Sequence, residues 1–122
     1  MNKLITTTIL SLTTLNISNA ASNESTLYDP VEIKAALEVH TSLMNVAKKI
    51  SSCSDSGKKH SVCLCENKEE LSKFNKTAIA ALEKHPRWLR YKSIKFKKPN
   101  GVGVIIRPSS LKKQARMEAK CN

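Results

Sequence analysis

Apolar residues recur at three- and four-residue spacing from Ile33 onward, through Ala36, Leu37, Leu43, Met44, Ala47 and Ile50, with His40 in the same stripe. That spacing predicts one face of an amphipathic helix. Asp29 stands where a cap belongs, Pro30 suits the first helical position, and Glu32 can close a capping box onto the Asp29 amide. The helix should run to about Ser51, after which Gly57 and its polar neighbours form a loop. A second stripe, Leu71, Phe74, Ala78, Ala81 and Leu82, predicts a second long helix. Asn67 is its expected cap and Glu70 the box partner. Pro86 should stop it, because a proline disfavours helical geometry in the residue before it.

The period then changes. In "SIKFKKPNGVGVIIRP" two alternating runs flank Pro-Asn-Gly. Proline suits the second position of a type I turn, and Gly101 can take the left-handed bulge position. The resulting hairpin, about residues 93–107, sets Lys98 opposite Val102, Phe96 opposite Val104 and Ile94 opposite Ile106. Every apolar residue of the pair is expected on one face, with Lys95 and Lys97 on the other. A two-stranded hairpin is marginal alone, so its apolar face should lie on the helices. After Pro108, Ser109 can cap a short last helix from Ser110 to about Lys120, with Leu111, Ala115 and either Met117 or Ala119 inward. The fold class is α+β and helix-rich: two long helices, one hairpin and a short C-terminal helix.

Cysteines add constraints to this outline. Cys53, Cys63 and Cys65 lie close together, and Cys121 stands next to the last residue. Their donors, with His60, are of a type that zinc accepts, but C-x-C is not the usual knuckle spacing and one cysteine would have no role. Two disulfides are the better reading. Read as an extended segment, Cys63 and Cys65 lie too far apart to bridge each other. One should therefore pair with Cys53 and the other with Cys121; the sequence does not choose which. No metal or cofactor is called for.

Oxidised cysteines need an oxidising compartment, and the N-terminus supplies a route to one. Lys3 precedes an uncharged, aliphatic and threonine-diluted run, Leu4 to Leu15, and Ser18-Asn19-Ala20 has the small residues of a cleavage site. This is the layout of a secretory signal peptide over residues 1–20. The run is shorter than the roughly 20 apolar residues of a membrane span. No cysteine follows the cleavage site, which argues against a lipid anchor. Residues 21–122 should form a single small domain, exported to the periplasm or secreted, with no transmembrane segment.

The charge is lopsided. Between Ala21 and Glu83 there are eight Lys/Arg and nine Asp/Glu; between Lys84 and Asn122 there are twelve Lys/Arg and one acid, Glu118. The dense stretch "KHPRWLRYKSIKFKK" carries Lys84, Arg87, Arg90, Lys92, Lys95, Lys97 and Lys98, with Trp88 and Tyr91 between them. The last helix adds Lys112, Lys113, Arg116 and Lys120. Cations without acids repel one another and cost stability, while cations interleaved with aromatics suit phosphate-bearing or stacking ligands. A merely solubilising face is the competing reading. The expected partner is an anionic surface, a polyanion or an acidic protein, and peripheral membrane contact fits the same charge. No base-reading motif is present.

Catalytic constellations are sparse. There is no G-x-S-x-G, no HExxH and no phosphate-cradling glycine loop, and the chain has three glycines. His40 and His85 sit on or beside the apolar stripes and read first as boundary histidines. An enzyme would need them to meet each other or Glu38. A third class is a secreted inhibitor or antagonist, with its contact at the Ser54–Ser61 loop or the hairpin tip, since a stapled scaffold presents loops preorganised.

Overall fold

The structure is a computed structural model describing residues 23–121, so the expected leader over 1–20 lies outside the described residues. Along the chain run strand β1 (Glu24–Thr26), helices α1 (Pro30–Asp55), α2 (His60–Glu66) and α3 (Lys68–Lys84), a 3₁₀ segment (Pro86–Arg90), strands β2 (Ser93–Lys97) and β3 (Gly103–Ile106), and helix α4 (Pro108–Gln114). This is the α+β, helix-rich class that the periodicity predicts, stapled by two disulfides.

Helix α1 begins as expected: the Val31 N–H donates to Asp29 Oδ1 at 2.9 Å, and Pro30 opens the helix. It runs four residues past Ser51, to Asp55. Its buried line is Glu32, Ala36, Val39 and Val46, with Leu43 and Ile50 packed beside it. This line advances by alternating four- and three-residue steps, a narrow seam, and it turns Met44 and Ala47 to solvent. Glu32 closes no capping box, because its carboxylate points inward to the 3₁₀ segment. Helix α3 buries Leu71, Phe74, Ala78, Ala81 and Leu82, the predicted stripe, and stops before Pro86. Asn67 does not cap it. Its amide instead donates to the Cys63 carbonyl at 2.9 Å, beside its own backbone N–H at 3.2 Å, so Asn67 closes the end of α2 rather than the start of α3. Glu70 is held by Lys49 of α1 at 2.8 Å rather than by a cap.

The segment read as extended around the cysteines is helical, and this explains the pairing. In a helix, positions i and i+2 point about 200° apart. Cys63 and Cys65 therefore face opposite sides of α2: Cys63 bridges to Cys53 of α1, and Cys65 to Cys121. Cys63 is fully buried.

The hairpin forms in the predicted register, with Ile94 opposite Ile106 and Phe96 opposite Val104. Gly101 takes a φ of 86°, and its N–H donates to the Lys98 carbonyl at 2.9 Å. Not every apolar residue of the pair faces inward: Ile105, opposite Lys95, and Val102 are exposed. Strict alternation gives Ile105 the parity of the lysines, whatever its hydropathy. Strand β1, unanticipated in the sequence, pairs parallel with β2 on its other side, so the sheet order is β1-β2-β3. Ile94, Phe96, Val104 and Ile106 join one buried cluster with Leu27, Phe74, Leu82 and Trp88.

The last helix is shorter than expected. Pro108 takes the first helical position, so Ser109 lies inside the helix and caps nothing. The helix ends at Gln114 rather than near Lys120, tightening through Arg116 N–H to Lys113 and Met117 N–H to Gln114. Asn75 of α3 then donates to the Met117 carbonyl at 2.8 Å, and the chain continues without helix to the bridge at Cys121. Leu111 and Ala115 are buried as predicted.

Candidate anionic-partner surface

The segment between α3 and β2 is fixed from below by one carboxylate. Glu32 is nearly buried; its two oxygens accept from Arg87 Nη2 at 2.8 and 2.7 Å, and Oε1 also accepts from Trp88 Nε1 at 3.4 Å. His85 stacks on Trp88, ring centroids 4.8 Å apart, with Nδ1 3.7 Å from Glu32. The hydrogen bonds and charge of Glu32 hold the Arg87 guanidinium above its already high pKa, so it stays protonated. Only one guanidinium nitrogen is engaged, and the side chain is 62% exposed.

Trp88 is therefore not a stacking platform for a ligand. It is 1% exposed and belongs to the core. A tryptophan between arginines reads as recognition chemistry, but here its indole fills the space under the 3₁₀ turn and its N–H satisfies a buried carboxylate. Tyr91 is half-buried against the same cluster.

Most of the expected cations do reach solvent. Lys84, Arg87, Arg90, Lys92, Lys95, Lys97, Lys112, Lys113 and Arg116 are exposed, and Lys98 is half-buried. Among the described residues only Arg87 and Lys95 of this set have a carboxylate partner, Lys95 pairing with Glu24 at 3.0 Å. Two pairs of them share a setting. Lys95 and Lys97 project from the outer face of the sheet, opposite the buried Ile94 and Phe96. Lys112 and Arg116 lie where α4 packs against α3 and the 3₁₀ segment. There they flank a cleft of about 320 Å³ floored by Ile79, Leu82, Leu89 and Ala115, with Glu83 at its side. Ile79 and Leu89 are part-exposed, so this rim is apolar below and cationic above.

The histidines do not form a catalytic pair. His85 faces Glu32 and Trp88, whereas His40 lines a separate cleft with Ile105, Arg107 and Leu111. Partial burial, reinforced by the Lys98 charge, holds the His40 pKa below its ordinary value. Glu38 lines yet another cleft, with Leu37 and Thr41. All four cysteines are consumed in bridges, so no thiolate is left for the metal arrangement considered above, and His60 is exposed at the start of α2. Sequence reasoning missed the buried role of Glu32. Its signal was the stepping of Ala36, Val39, Leu43, Val46 and Ile50, which places Glu32 on the same line one step earlier. The chain matches no protein-family model, and no curated protein or solved structure is significantly similar to it.

Proposed function

We propose that this is a small exported binding protein whose basic C-terminal third engages an anionic partner. The observation that carries the reading is the largely exposed set of cations from Lys84 onward, which shares its segment with a single acid, Glu118, and of which only Arg87 and Lys95 pair with a carboxylate among the described residues. Unpaired like charges on one segment oppose its compaction, and an anionic partner relieves that repulsion. The cationic rim over the Ile79–Leu89 cleft suits a surface that offers phosphate or carboxylate beside apolar groups, such as an anionic lipid layer, and peripheral contact needs no spanning segment. Among the described residues no helix is long and apolar enough to cross a membrane, and the two disulfides fit an extracellular setting.

The test is retention on heparin and on vesicles containing anionic lipid, measured across salt. Displaced counterions make such binding fall steeply as salt rises. Replacing Lys112 and Arg116 together with glutamine should weaken vesicle binding while heparin retention falls less, since the sheet lysines still contribute. Elution with a neutral protein of equal size at low salt would sink the reading.

A second reading, a secreted antagonist of another protein, draws on the short bridge. Cys53–Cys63 closes the 54–62 loop, where Ser56 Oγ donates to the Cys53 carbonyl at 2.6 Å and Lys58 reaches Glu66 at 2.7 Å. A loop ordered in advance loses little entropy on docking. Binding that survives high salt and is lost on substitution within Ser54–Ser61 would favour it.

A further inference from the structure

Ile105 breaks the inward-apolar, outward-polar pattern of the hairpin, and the backbone around it is equally unusual. Lys98 N–H donates to Val102 O at 2.8 Å, so Val102 belongs to a hydrogen-bonded cross-strand pair. Alternation in an antiparallel ladder then directs the main-chain groups of Val104 and Ile106 toward β2, and those of Gly103 and Ile105 away from it. Among the described residues no strand pairs with β3 on that outer side, and the N–H and C=O of Gly103 and Ile105 have no backbone partner.

Native edge strands are protected by lysine, proline, a bulge or a covering element. Strand β3 reads Gly-Val-Ile-Ile and has none of these side chains. Ile105 is 59% and Val102 53% exposed. Beside the edge lies a cleft of about 460 Å³, lined in part by Val39, Leu43, Ile105 and Leu111. Charge brackets the strand: Lys97 and Lys98 precede it and Arg107 follows it, while Lys95 and Lys97 stand across from Ile105 and Gly103 on the outer face.

We propose that the open edge of β3 docks an extended acidic segment of a partner protein as a fourth strand. The main-chain groups of Gly103 and Ile105 supply the hydrogen bonds, and side chains at alternate positions supply the selectivity. On the outer face, carboxylates of the added strand come within reach of Lys97 and Arg107, while Lys95 is already paired with Glu24 at 3.0 Å. On the inner face, apolar side chains cover the Leu43–Leu111 cleft. A second copy of this chain is the poorer occupant, because antiparallel pairing of two β3 edges brings the same cations together with no acid on either hairpin. The inference is independent of the polyanion reading, since it requires main-chain pairing as well as charge.

The experiment uses the oxidised full chain, isotope-labelled for amide NMR, and two acetylated nine-residue peptides, one alternating valine with glutamate and one alternating valine with lysine. The glutamate peptide should slow amide exchange at Gly103 and Ile105 at least about tenfold, and the lysine peptide should not. Ile105→Pro deletes an outward N–H while sparing the β2 ladder, and it should weaken the glutamate peptide about tenfold or more with heparin retention unchanged. Ile105→Asp, which keeps the backbone and adds a repelling charge, should weaken it likewise, so the test survives a proline variant that fails to fold. Wild-type binding by both variants, equal binding of both peptides, or shifts confined to Lys112 and Arg116 would overturn the proposal. Protection of Gly103 and Ile105 that grows with protein concentration alone would also overturn it, in favour of self-pairing.

Discussion

Helices α1 and α3 and the segment after Pro108 occupy the same molecule but are held by different forces. The two long helices bury continuous stripes against each other and tie their surfaces with the Lys49–Glu70 pair. The C-terminal segment buries Pro108, Leu111 and Ala115 and carries Lys112 and Lys113 on a short helix, with Arg116 and Lys120 on the non-helical chain after it. Burial of so few side chains gives a few kcal/mol, which backbone ordering at roughly 1–2 kcal/mol per residue can cancel. The Cys65–Cys121 bridge and the Asn75–Met117 hydrogen bond make up the difference. Where apolar surface is scarce and like charge dense, covalent and directional contacts take over from packing.

The hardest test of that contrast is Cys121→Ser. The Cys65–Cys121 bridge spans 56 residues, so in the chain-entropy model its removal costs about 4 kcal/mol. Amide exchange should accelerate from Pro108 onward while α1 and α3 keep their protection. Uniform acceleration along the whole chain would show that the two regions unfold as one and that the contrast is false.

A smaller effect is expected at the joint between them. Glu32→Ala leaves the buried Trp88 indole N–H without its acceptor, which should cost about 2 kcal/mol in urea unfolding. Glu32→Gln should recover part of the loss, because an amide oxygen still accepts. If both variants unfold at the wild-type midpoint, the 3₁₀ segment is held by apolar contact alone.

The smallest effect is a pH dependence at His40. Its folded pKa lies below the ordinary 6.5, through partial burial and then through Lys98. As pH falls past 6.5 the unfolded chain takes up the proton first, so this contribution is complete above that pH and declines as pH drops toward the folded value. His40→Gln should flatten the stability profile in that window. Lys98→Met should raise the His40 titration midpoint seen by NMR; an unchanged midpoint would remove Lys98 as a cause.

Much of this architecture was legible in periodicity. The α3 stripe, the Pro86 stop and the hairpin register follow from local rules that tertiary structure did not override. The failures share a cause as well. Strand β1 is a three-residue polar piece whose pairing with β2 lies far away in sequence, so no local pattern marks it. Helix α2 is short and follows a polar loop, and its helicity comes from docking between α1 and α3. Trp88 illustrates the limit for the candidate site: composition places it among cations, but only packing decides that it turns inward. The exposure of the surrounding lysines was legible, because their own segment offers twelve cations a single acid, Glu118.

The opposed side chains of Cys63 and Cys65 also have a kinetic meaning. During synthesis Cys53, Cys63 and Cys65 are all present long before Cys121 appears, so an odd thiol is unavoidable for most of the chain's growth. A seven-residue helix is not stable by itself, so the orientation that separates the two cysteines exists only after α2 packs. Until then a Cys53–Cys65 bridge competes with the native one, and its correction is thiol exchange on a timescale of seconds to hours. Correct pairing of Cys63 is thus coupled to the docking of α2, and an isomerase that reshuffles bridges should hasten it.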